Sequence, residues 1–132
     1  LNSIILPCNL DPGKPFCHWV LLEITDLDWE NKKANCYWYD SFASPGGDKA
    51  KEITEAFTGK GGVLEKFEIS VKLGLEKSIQ SDGSSCGIFL LYFLILIITG
   101  KRGDIASLEK EKFTTKKMKN LRENIAAWIL SV

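Results

Sequence analysis

The amino-acid sequence predicts an α+β fold, in which helices pack against a central, mostly antiparallel sheet. The first half of the chain holds short runs of branched and aromatic residues bounded by turn-forming residues, which are typical of strands. The second half holds one long apolar run that stops at a glycine and one amphipathic segment, which are typical of helices. With 132 residues and a hydrophobic content of 45%, the chain fits one compact domain.

Two strands are predicted near the start of the chain, joined as a hairpin. Residues 18–24 are apolar and rich in branched side chains, and they follow a turn predicted at residues 12–15. Residues 34–39 form the returning strand. The polar residues 26–33 between them are interpreted as a solvated hairpin loop, with a substrate contact as the alternative. The start of the first strand and the end of the second are therefore expected to lie side by side.

A helix and a further strand are predicted next. Residues 45–47 interrupt the strand pattern, and Asp48 is placed to cap a helix whose apolar side chains recur four residues apart. Gly59 marks the predicted end of that helix. Residues 63–73 alternate between apolar and polar side chains, which predicts a strand with one exposed face.

Two helices are predicted in the second half. Residues 78–85 form a polar loop, and the apolar run 86–99 stops at Gly100, a residue that favours the end of a helix. Cys86 is then the first residue of a buried helix. A final amphipathic helix is predicted from about Lys116 and is expected to cover the sheet. Its apolar face carries Leu121, Ile125 and Trp128.

Charge and composition exclude several classes of protein. The 17 basic and 17 acidic side chains cancel, so we expect neither nucleic-acid nor membrane binding. The longest apolar stretch is shorter than the roughly 20 residues that cross a bilayer, and no signal peptide is recognisable, so we expect a soluble protein. The cysteines have irregular spacing and there is one histidine, so we expect reduced thiols and no metal or other cofactor. The cysteines are Cys8, Cys17, Cys36 and Cys86.

Four side chains are candidates for catalysis. Cys86 begins a helix, where partial positive charge favours the thiolate, although a small core residue is the alternative. His18 and Asp40 end neighbouring arms of the hairpin, where the carboxylate can orient the imidazole. Taken singly, each of these two has a structural alternative, as a partly buried imidazole or a turn carboxylate. Gln80, six residues before the cysteine, is a candidate oxyanion donor, with an ordinary surface glutamine as the alternative.

Three sequence blocks around these residues resemble a known family. They read HW at residues 18–19, YDSF at residues 39–42 and QSDGSSCGIF at residues 80–89. In residue type, order and glutamine-to-cysteine spacing they resemble the SUMO/sentrin-specific proteases and related ubiquitin-like-protein proteases. That family has a papain-like cysteine protease fold, shared with the adenovirus endopeptidase. The resemblance extends over roughly residues 16–130.

The resemblance implies a cysteine protease that cleaves after the C-terminal diglycine of SUMO, NEDD8 or ubiquitin. In that family the residues matching Cys86, His18, Asp40 and Gln80 are nucleophile, base, orienting acid and oxyanion donor. The candidate substrate-binding residues are Trp19, Gly83 and Ser85. By the resemblance Trp19 covers the tunnel through which the diglycine passes, with a core tryptophan as the alternative.

This chain departs from the family pattern in two places. Ser85 stands where the family commonly has an acidic residue directly before the nucleophile. The N-terminal part that usually helps to bind the modifier is expected to be missing or very short, so that residues 1–132 form a single catalytic domain.

Two other functions remain open from the sequence. One is an acetyltransferase that passes an acetyl group from acetyl-CoA through the same cysteine, and the other is a modifier-binding module without turnover. We expect a monomer whose partners are a ubiquitin-like modifier and its conjugates. Reduced thiols favour the cytoplasm or nucleus, or a host cytosol if the protein is a secreted effector.

Overall fold

The computed structural model describes residues 2–10, 13, 18–43 and 46–131. In chain order the elements found there are β1 (Ile4–Asn9), β2 (Trp19–Asp28), β3 (Lys33–Tyr39), α1 (Gly47–Thr58), β4 (Glu68–Leu73), α2 (Cys86–Ile98), α3 (Asp104–Ser107), a 3₁₀ turn (Leu108–Lys110) and α4 (Thr115–Ser131). Cys17, Pro45 and most of the turn predicted at residues 12–15 lie outside the described residues.

The strands form one sheet in the order β1-β2-β3-β4. β2 pairs antiparallel with both β1 and β3, whereas β4 pairs parallel with β3. A parallel neighbour requires a crossover connection, which α1 supplies between β3 and β4. The sheet is therefore mixed and mostly antiparallel, which confirms the predicted α+β class.

Helices cover both faces of this sheet. On one face, Leu22 and Ile24 of β2 belong to a core cluster that includes Ala50 of α1. On the other face, Leu21 belongs to a second cluster that includes Phe89 of α2. Successive strand residues point to opposite faces, and both faces are covered, so six consecutive residues of β2 are buried. This double burial explains the continuous apolar run that predicts the strand.

α2 is a buried apolar helix that begins at Cys86, as predicted. It ends where Gly100 takes a positive φ of 77°. The amides of Gly100 and Lys101 donate to the carbonyls of Ile97 and Leu96, which is the hydrogen-bond pattern of a Schellman termination. In the part of the chain that the structure describes, no helix, α2 included, has the length and hydropathy needed to cross a membrane.

The sequence pattern does not predict β1 or α3. β1 carries Pro7 in its middle, and a proline has no N–H to donate to a neighbouring strand. Proline is tolerated here because β1 forms the edge of the sheet, which sequence periodicity does not reveal. α3 has four residues, too few to show a helical repeat of apolar positions.

The hairpin loop is shorter than predicted. β2 continues to Asp28 and β3 begins at Lys33, so residues 29–32 form the turn. The carboxylate of Asp28 accepts hydrogen bonds from the backbone N and side-chain Nδ2 of Asn31, at 3.0 and 2.8 Å, and these bonds close the turn. The predicted loop at residues 26–33 is therefore wrong in its bounds, because three of its six polar residues, Asp26, Asp28 and Lys33, lie at the ends of paired strands.

The prediction that Asp48 caps α1 is wrong. Gly46 holds the N-cap position and no side chain caps the helix, while Asp48 lies in the first turn. A side chain at position 46 is excluded because its Cβ would lie 2.1 Å from the Trp38 ring. The Trp38 ring therefore determines where α1 starts, and the residue at its N-cap, Gly46, has no side chain with which to cap it. Its predicted end near Gly59 is confirmed.

The fourth strand begins later than predicted. Residues 63–67 form turns, and β4 spans Glu68–Leu73. Leu64 and Phe67 are nevertheless buried in the core on the α1 face of the sheet. Leu64 and Phe67, which make the strand pattern in the sequence longer than β4, are therefore core residues that lie in the turns before the strand.

α4 forms a further layer behind α2. Its buried residues are Met118 and Ile125, and Leu121 and Trp128 are half-buried, which agrees with the predicted apolar face. Met118 packs in the same cluster as the aromatic residues of α2. α4 packs against α2, which in turn packs against β2, and Met118 shares one core cluster with residues of the sheet.

Candidate active site

His18 and Asp40 are in direct contact at one end of the sheet. His18 precedes the first residue of β2 and Asp40 follows the last residue of β3. The strand register pairs Leu21 with Tyr39, so His18 lies diagonally across from Asp40 on the same face. Nε2 of the imidazole lies 2.7 Å from Oδ1 of the carboxylate. This bond leaves Nδ1 of His18 as the nitrogen that can face a reacting group.

The Asp40 carboxylate is fixed by its surroundings. Its side chain is 1% exposed, and Oδ1 also accepts the backbone N–H of Phe42 at 2.9 Å. Among the described residues, none donates a hydrogen bond to Oδ2, although that atom is buried. The ring of Phe42 lies against the imidazole of His18, with centroids 5.2 Å apart. The imidazole is thus held at its edge by a carboxylate and on one side by an aromatic ring.

Gln80 is joined to this end of the sheet through Ser41. The backbone amides of Ile79 and Gln80 both donate to the carbonyl of Ser41, at 2.8 and 3.1 Å. The hydroxyl of Ser41 donates to Oε1 of Gln80 in a short hydrogen bond. At the other side of the amide, Nε2 donates to the carbonyl of Asp82 at 2.8 Å. Gln80 is buried, so it is a fixed interior residue and not a surface glutamine.

Cys86 is the first residue of α2 and is 6% exposed. The N-cap residue, Ser85, does not cap the helix with its side chain, and no acidic residue lies in the first turn. Backbone N–H groups give the N-terminus of a helix a partial positive charge, and the thiol of Cys86 lies at this end of α2. This is the environment in which a cysteine can act as a nucleophile.

The other described cysteines have a different environment. Burial raises the pKa of the Cys36 thiol to about 12, and burial also raises the pKa of Cys8. Both side chains therefore keep their protons near neutral pH and are poor nucleophiles. They contribute to the apolar core on the α1 side of the sheet. Among the described cysteines, Cys86 alone begins a helix.

Asp82 organises the loop that leads into α2. Its Oδ1 accepts the backbone amides of Ser84 and Ser85 at 2.8 and 2.7 Å, and its Oδ2 accepts the hydroxyl of Ser85 at 2.8 Å. Burial would raise the pKa of Asp82, but the hydrogen bonds from Ser84 and Ser85 outweigh it and lower that pKa. The carboxylate therefore fixes the three residues that precede Cys86.

The three candidate substrate-binding residues have different environments. Trp19 is 36% exposed at the start of β2, next to His18, so part of its indole is open to solvent. Gly83 is exposed on the loop before α2, with open space around it. Ser85 is fully buried, and its hydroxyl is bonded to Asp82 and to Arg122 of α4. Contacts of these residues with a substrate stay predictions.

The structure brings three of the four candidate catalytic residues to one end of the sheet, and the fourth, Cys86, begins α2 six residues after Gln80. His18 contacts Asp40, and Gln80 is bonded to Ser41, the next residue in the chain. Sequence reasoning gave no role to Ser41, Phe42, Asp82 or Arg122. An Asp followed by a glycine and two serines just before an apolar helix is a local signal that could have identified Asp82. Arg122 lies 37 residues away from its partner, and no sequence signal points to that contact.

A cleft of about 490 Å³ opens beside Gln80. It lies between the loop before α2 and the segment before α4, and its lining includes Ser78, Ser81, Phe113 and Thr114.

Among the described residues, no group of three or more His, Cys, Asp or Glu side chains is arranged to bind a metal ion.

The fold and these side chains together define a class. A central helix begins at a cysteine, and a His–Asp pair closes the neighbouring end of a mostly antiparallel sheet. This is the arrangement of the papain-like cysteine peptidases.

The sequence identifies the family within that class. Residues 2–130 match the model of the Ulp1 protease family, C-terminal catalytic domain. The chain therefore belongs to the Ulp1 protease family, a family of cysteine peptidases that act on ubiquitin-like modifiers and their conjugates. No curated protein matches the sequence.

A solved structure supports the same fold. The chain is similar to the Rickettsia bellii effector protein RickCE, with a TM-score of 0.67 and 18% sequence identity. The match covers 99% of this chain and 46% of that protein. The chain thus spans about half the length of the effector, and at this identity the likeness shows the fold alone.

Proposed function

We propose that this chain cleaves the bond after the C-terminal diglycine of a ubiquitin-like modifier, with Cys86 as nucleophile, His18 as base and Asp40 as the residue that orients the base. Family membership supports the reaction class and the diglycine-ended substrate. The observation that supports the residue roles most strongly is the 2.7 Å contact between His18 and the buried carboxylate of Asp40.

The first half of the reaction is acyl transfer to sulfur. The thiolate of Cys86 attacks the carbonyl carbon of the terminal glycine, and the carbonyl π electrons move onto oxygen. Gln80 Nε2–H and the backbone N–H of Cys86 donate to that oxyanion. An amide nitrogen carries two protons, and one of those on Gln80 is bonded to Asp82, which leaves the second for the substrate. The protonated imidazole of His18 then gives its proton to the leaving amine, and a thioester remains.

The second half is hydrolysis of the thioester. His18 accepts a proton from water, the water oxygen attacks the carbonyl carbon, and the bond to sulfur breaks. Asp40 keeps the imidazole in one orientation through both halves, because its carboxylate is anchored by the backbone of Phe42. Trp19 follows this base in the chain, and its 36% exposed indole is the proposed cover for the flat glycine pair of the substrate.

A cleavage panel tests this function. SUMO, NEDD8 and ubiquitin, each extended by a short peptide beyond the diglycine, are incubated with the chain, and products are identified by intact mass. We expect one modifier to be released with its diglycine as the new C-terminus. Cys86→Ala should abolish the release, since it removes the sulfur and leaves the fold in place. Release by the Cys86→Ala variant at the wild-type rate would contradict the assignment.

The same preparation distinguishes the two other functions. Incubation with labelled acetyl-CoA would give a Cys86 thioester if the chain is an acetyltransferase, and we expect none. A binding module would hold a modifier without cleaving it. Tight binding of an extended modifier that stays intact, by a chain shown to be folded, would therefore contradict the proposed peptidase activity.

A further inference from the structure

Three hydrogen bonds in series join α4 to the candidate oxyanion donor. Arg122 donates from Nη2 to the hydroxyl of Ser85 at 2.8 Å. That hydroxyl donates to Oδ2 of Asp82 at 2.8 Å. The carbonyl of Asp82 accepts Nε2 of Gln80 at 2.8 Å. A side chain on the fourth helix is therefore linked, through Ser85 and Asp82, to the side-chain amide of Gln80.

The direction of each bond in this series is fixed by chemistry. A guanidinium group has only donors, so the oxygen of Ser85 must accept from Arg122. The single proton of that hydroxyl is then directed to the Asp82 carboxylate. Ser85 is fully buried and lies between a cation and an anion, so both of its bonds are charge-assisted. The hydroxyl thus acts as a one-atom bridge between two opposite charges.

The Gln80 amide is held from two sides. On the sheet side, Ser41 binds Oε1, and this contact depends on the end of β3. On the helix side, the carbonyl of Asp82 binds Nε2, and the carboxylate of Asp82 accepts the backbone amide and the hydroxyl of Ser85, the N-cap residue of α2. The second contact fixes the plane of the amide, and with it the direction of the remaining N–H of Gln80. Only this side depends on α4.

We propose that Arg122 is a positioning residue that sets the orientation of the Gln80 amide through Ser85 and Asp82. The consequence for catalysis rests on the proposed function, in which Gln80 binds the oxyanion. Loss of the Arg122 contact releases one of the two hydroxyl bonds of Ser85, and the loop carrying Asp82 loses its link to α4. Because the oxyanion forms only in the transition state, the effect falls on kcat and leaves KM unchanged.

Kinetics on the most rapidly cleaved modifier fusion test the proposal. Arg122→Met keeps much of the apolar stem and removes the donors, and we expect kcat to fall about tenfold, with KM unchanged within about twofold. This is less than the roughly 100- to 1,000-fold loss on removing an oxyanion donor. Arg122→Lys can still donate one bond to Ser85 and should recover part of kcat. Lys119→Met, which removes another exposed charge from the same helix, should leave kcat unchanged.

A double-mutant cycle shows whether Arg122 acts through Gln80. In a Gln80→Ala background, Arg122→Met should have no further effect on kcat, since the residue it positions is gone. An equal loss in both backgrounds would overturn the proposal. Thermal melting of each variant separates a change in positioning from a loss of folded protein.

A measurement without turnover separates this proposal from the proposed function. In an isotope-labelled sample, the side-chain amide resonances of Gln80 should shift in Arg122→Met and stay in place in Lys119→Met. If wild-type protein cleaves no modifier, the proposed function fails, and the Gln80 resonances still decide the positioning role. Unchanged Gln80 resonances in Arg122→Met would overturn it.

Discussion

Asp40 and Glu23 are both buried carboxylates at the sheet, with 1% and 0% exposure, yet their contacts differ in kind. Glu23 lies within β2 and is bound at both oxygens by Arg102, with distances of 2.7 and 2.5 Å. Asp40 lies beyond the end of β3, uses one oxygen for His18 and leaves the other without a partner among the described residues. A carboxylate with both oxygens held by a guanidinium is fully satisfied, as a structural residue requires.

The surroundings of the two carboxylates extend this contrast. Burial raises the pKa of Tyr39, and the charge of Glu23 and a hydrogen bond with it raise that pKa further. The hydrogen bond with Glu23 raises the pKa of Arg102. Tyr39 and Arg102, the two groups around Glu23, therefore keep their protons near neutral pH. Asp40, in contrast, contacts an imidazole, a group that can both donate and accept a proton. One buried acid thus anchors the fold, whereas the other is suited to serve a reaction.

The largest expected effect comes from Asp40→Asn. The amide retains size and shape, but it no longer fixes the orientation and tautomer of the imidazole, and kcat should fall by about 1,000- to 10,000-fold. The unfolding free energy should change by less than about 1 kcal/mol, because the Asn oxygen can still accept from Phe42. Cleavage kinetics and urea unfolding measure the two quantities. A kcat within tenfold of wild type would contradict the role of Asp40.

The matched change, Glu23→Gln, should have the opposite profile. The substitution places an amide N–H of residue 23 against the N–H donors of Arg102. The side chain of Arg102 is 42% exposed, so its charge can turn to water. We expect a loss of about 1–3 kcal/mol in unfolding free energy and an activity per folded molecule within about twofold of wild type. A large loss of kcat at unchanged stability would show that the two carboxylates do not differ as described.

Ser41→Ala tests the end of the sheet that holds Asp40 and the candidate active site. The hydroxyl binds Oε1 of Gln80, and without it one side of the buried amide loses its partner. We expect kcat to fall about tenfold with little change in KM, since Gln80 itself remains. Ser78→Ala is the control, because that hydroxyl donates to the backbone carbonyls of Ser41 and Gln80 and not to the side-chain amide of Gln80. Equal losses in the two variants would mean that the loop as a whole, and not the amide, is affected.

The smallest expected effect is on the pH dependence of stability. Hydrogen bonds in the folded state lower the pKa of Asp82 below its ordinary value of 3.8, so its stabilising contribution is present above that pH. It is lost as the pH falls through the folded-state pKa. Asp82 is mostly exposed, so Asp82→Asn should cost less than about 1 kcal/mol at pH 6. Urea unfolding at pH 6 and at pH 3 should show the gap to wild type narrowing, and a gap that widens at low pH would contradict this.

The sequence predicts the elements whose patterns are strong. β2 has a continuous apolar run because both of its faces are covered, and α2 has one because all of its residues except Ile98 are buried or partly buried. The bounds that are wrong lie where a tertiary contact overrides the local pattern. Asp48 does not cap α1 because the ring of Trp38 determines where that helix starts. β1 is not predicted because a proline is tolerated at a sheet edge, and no sequence pattern identifies an edge.

In the candidate active site, too, local patterns were predictable from the sequence and tertiary contacts were not. The contact between His18 and Asp40 is predicted because strand geometry places the ends of a hairpin side by side. Asp82 lies in a local turn pattern and could have been found. Arg122 and Arg102 could not, because each reaches its partner across the tertiary fold, at separations of 37 and 79 residues. A single charged residue in the apolar run of β2 does indicate that Glu23 needs a cationic partner, but not which one.

Covalent labelling of Cys86 tests the central claim most directly. Modifiers that carry an electrophile in place of the terminal glycine carboxylate are incubated with wild type and with Asp40→Asn and Glu23→Gln, and the labelled residue is located by peptide mapping. We predict that one modifier attaches to the sulfur of Cys86, at a rate that falls sharply in Asp40→Asn and stays near wild type in Glu23→Gln. Failure of every modifier to label folded protein, or attachment to a cysteine other than Cys86, would contradict it.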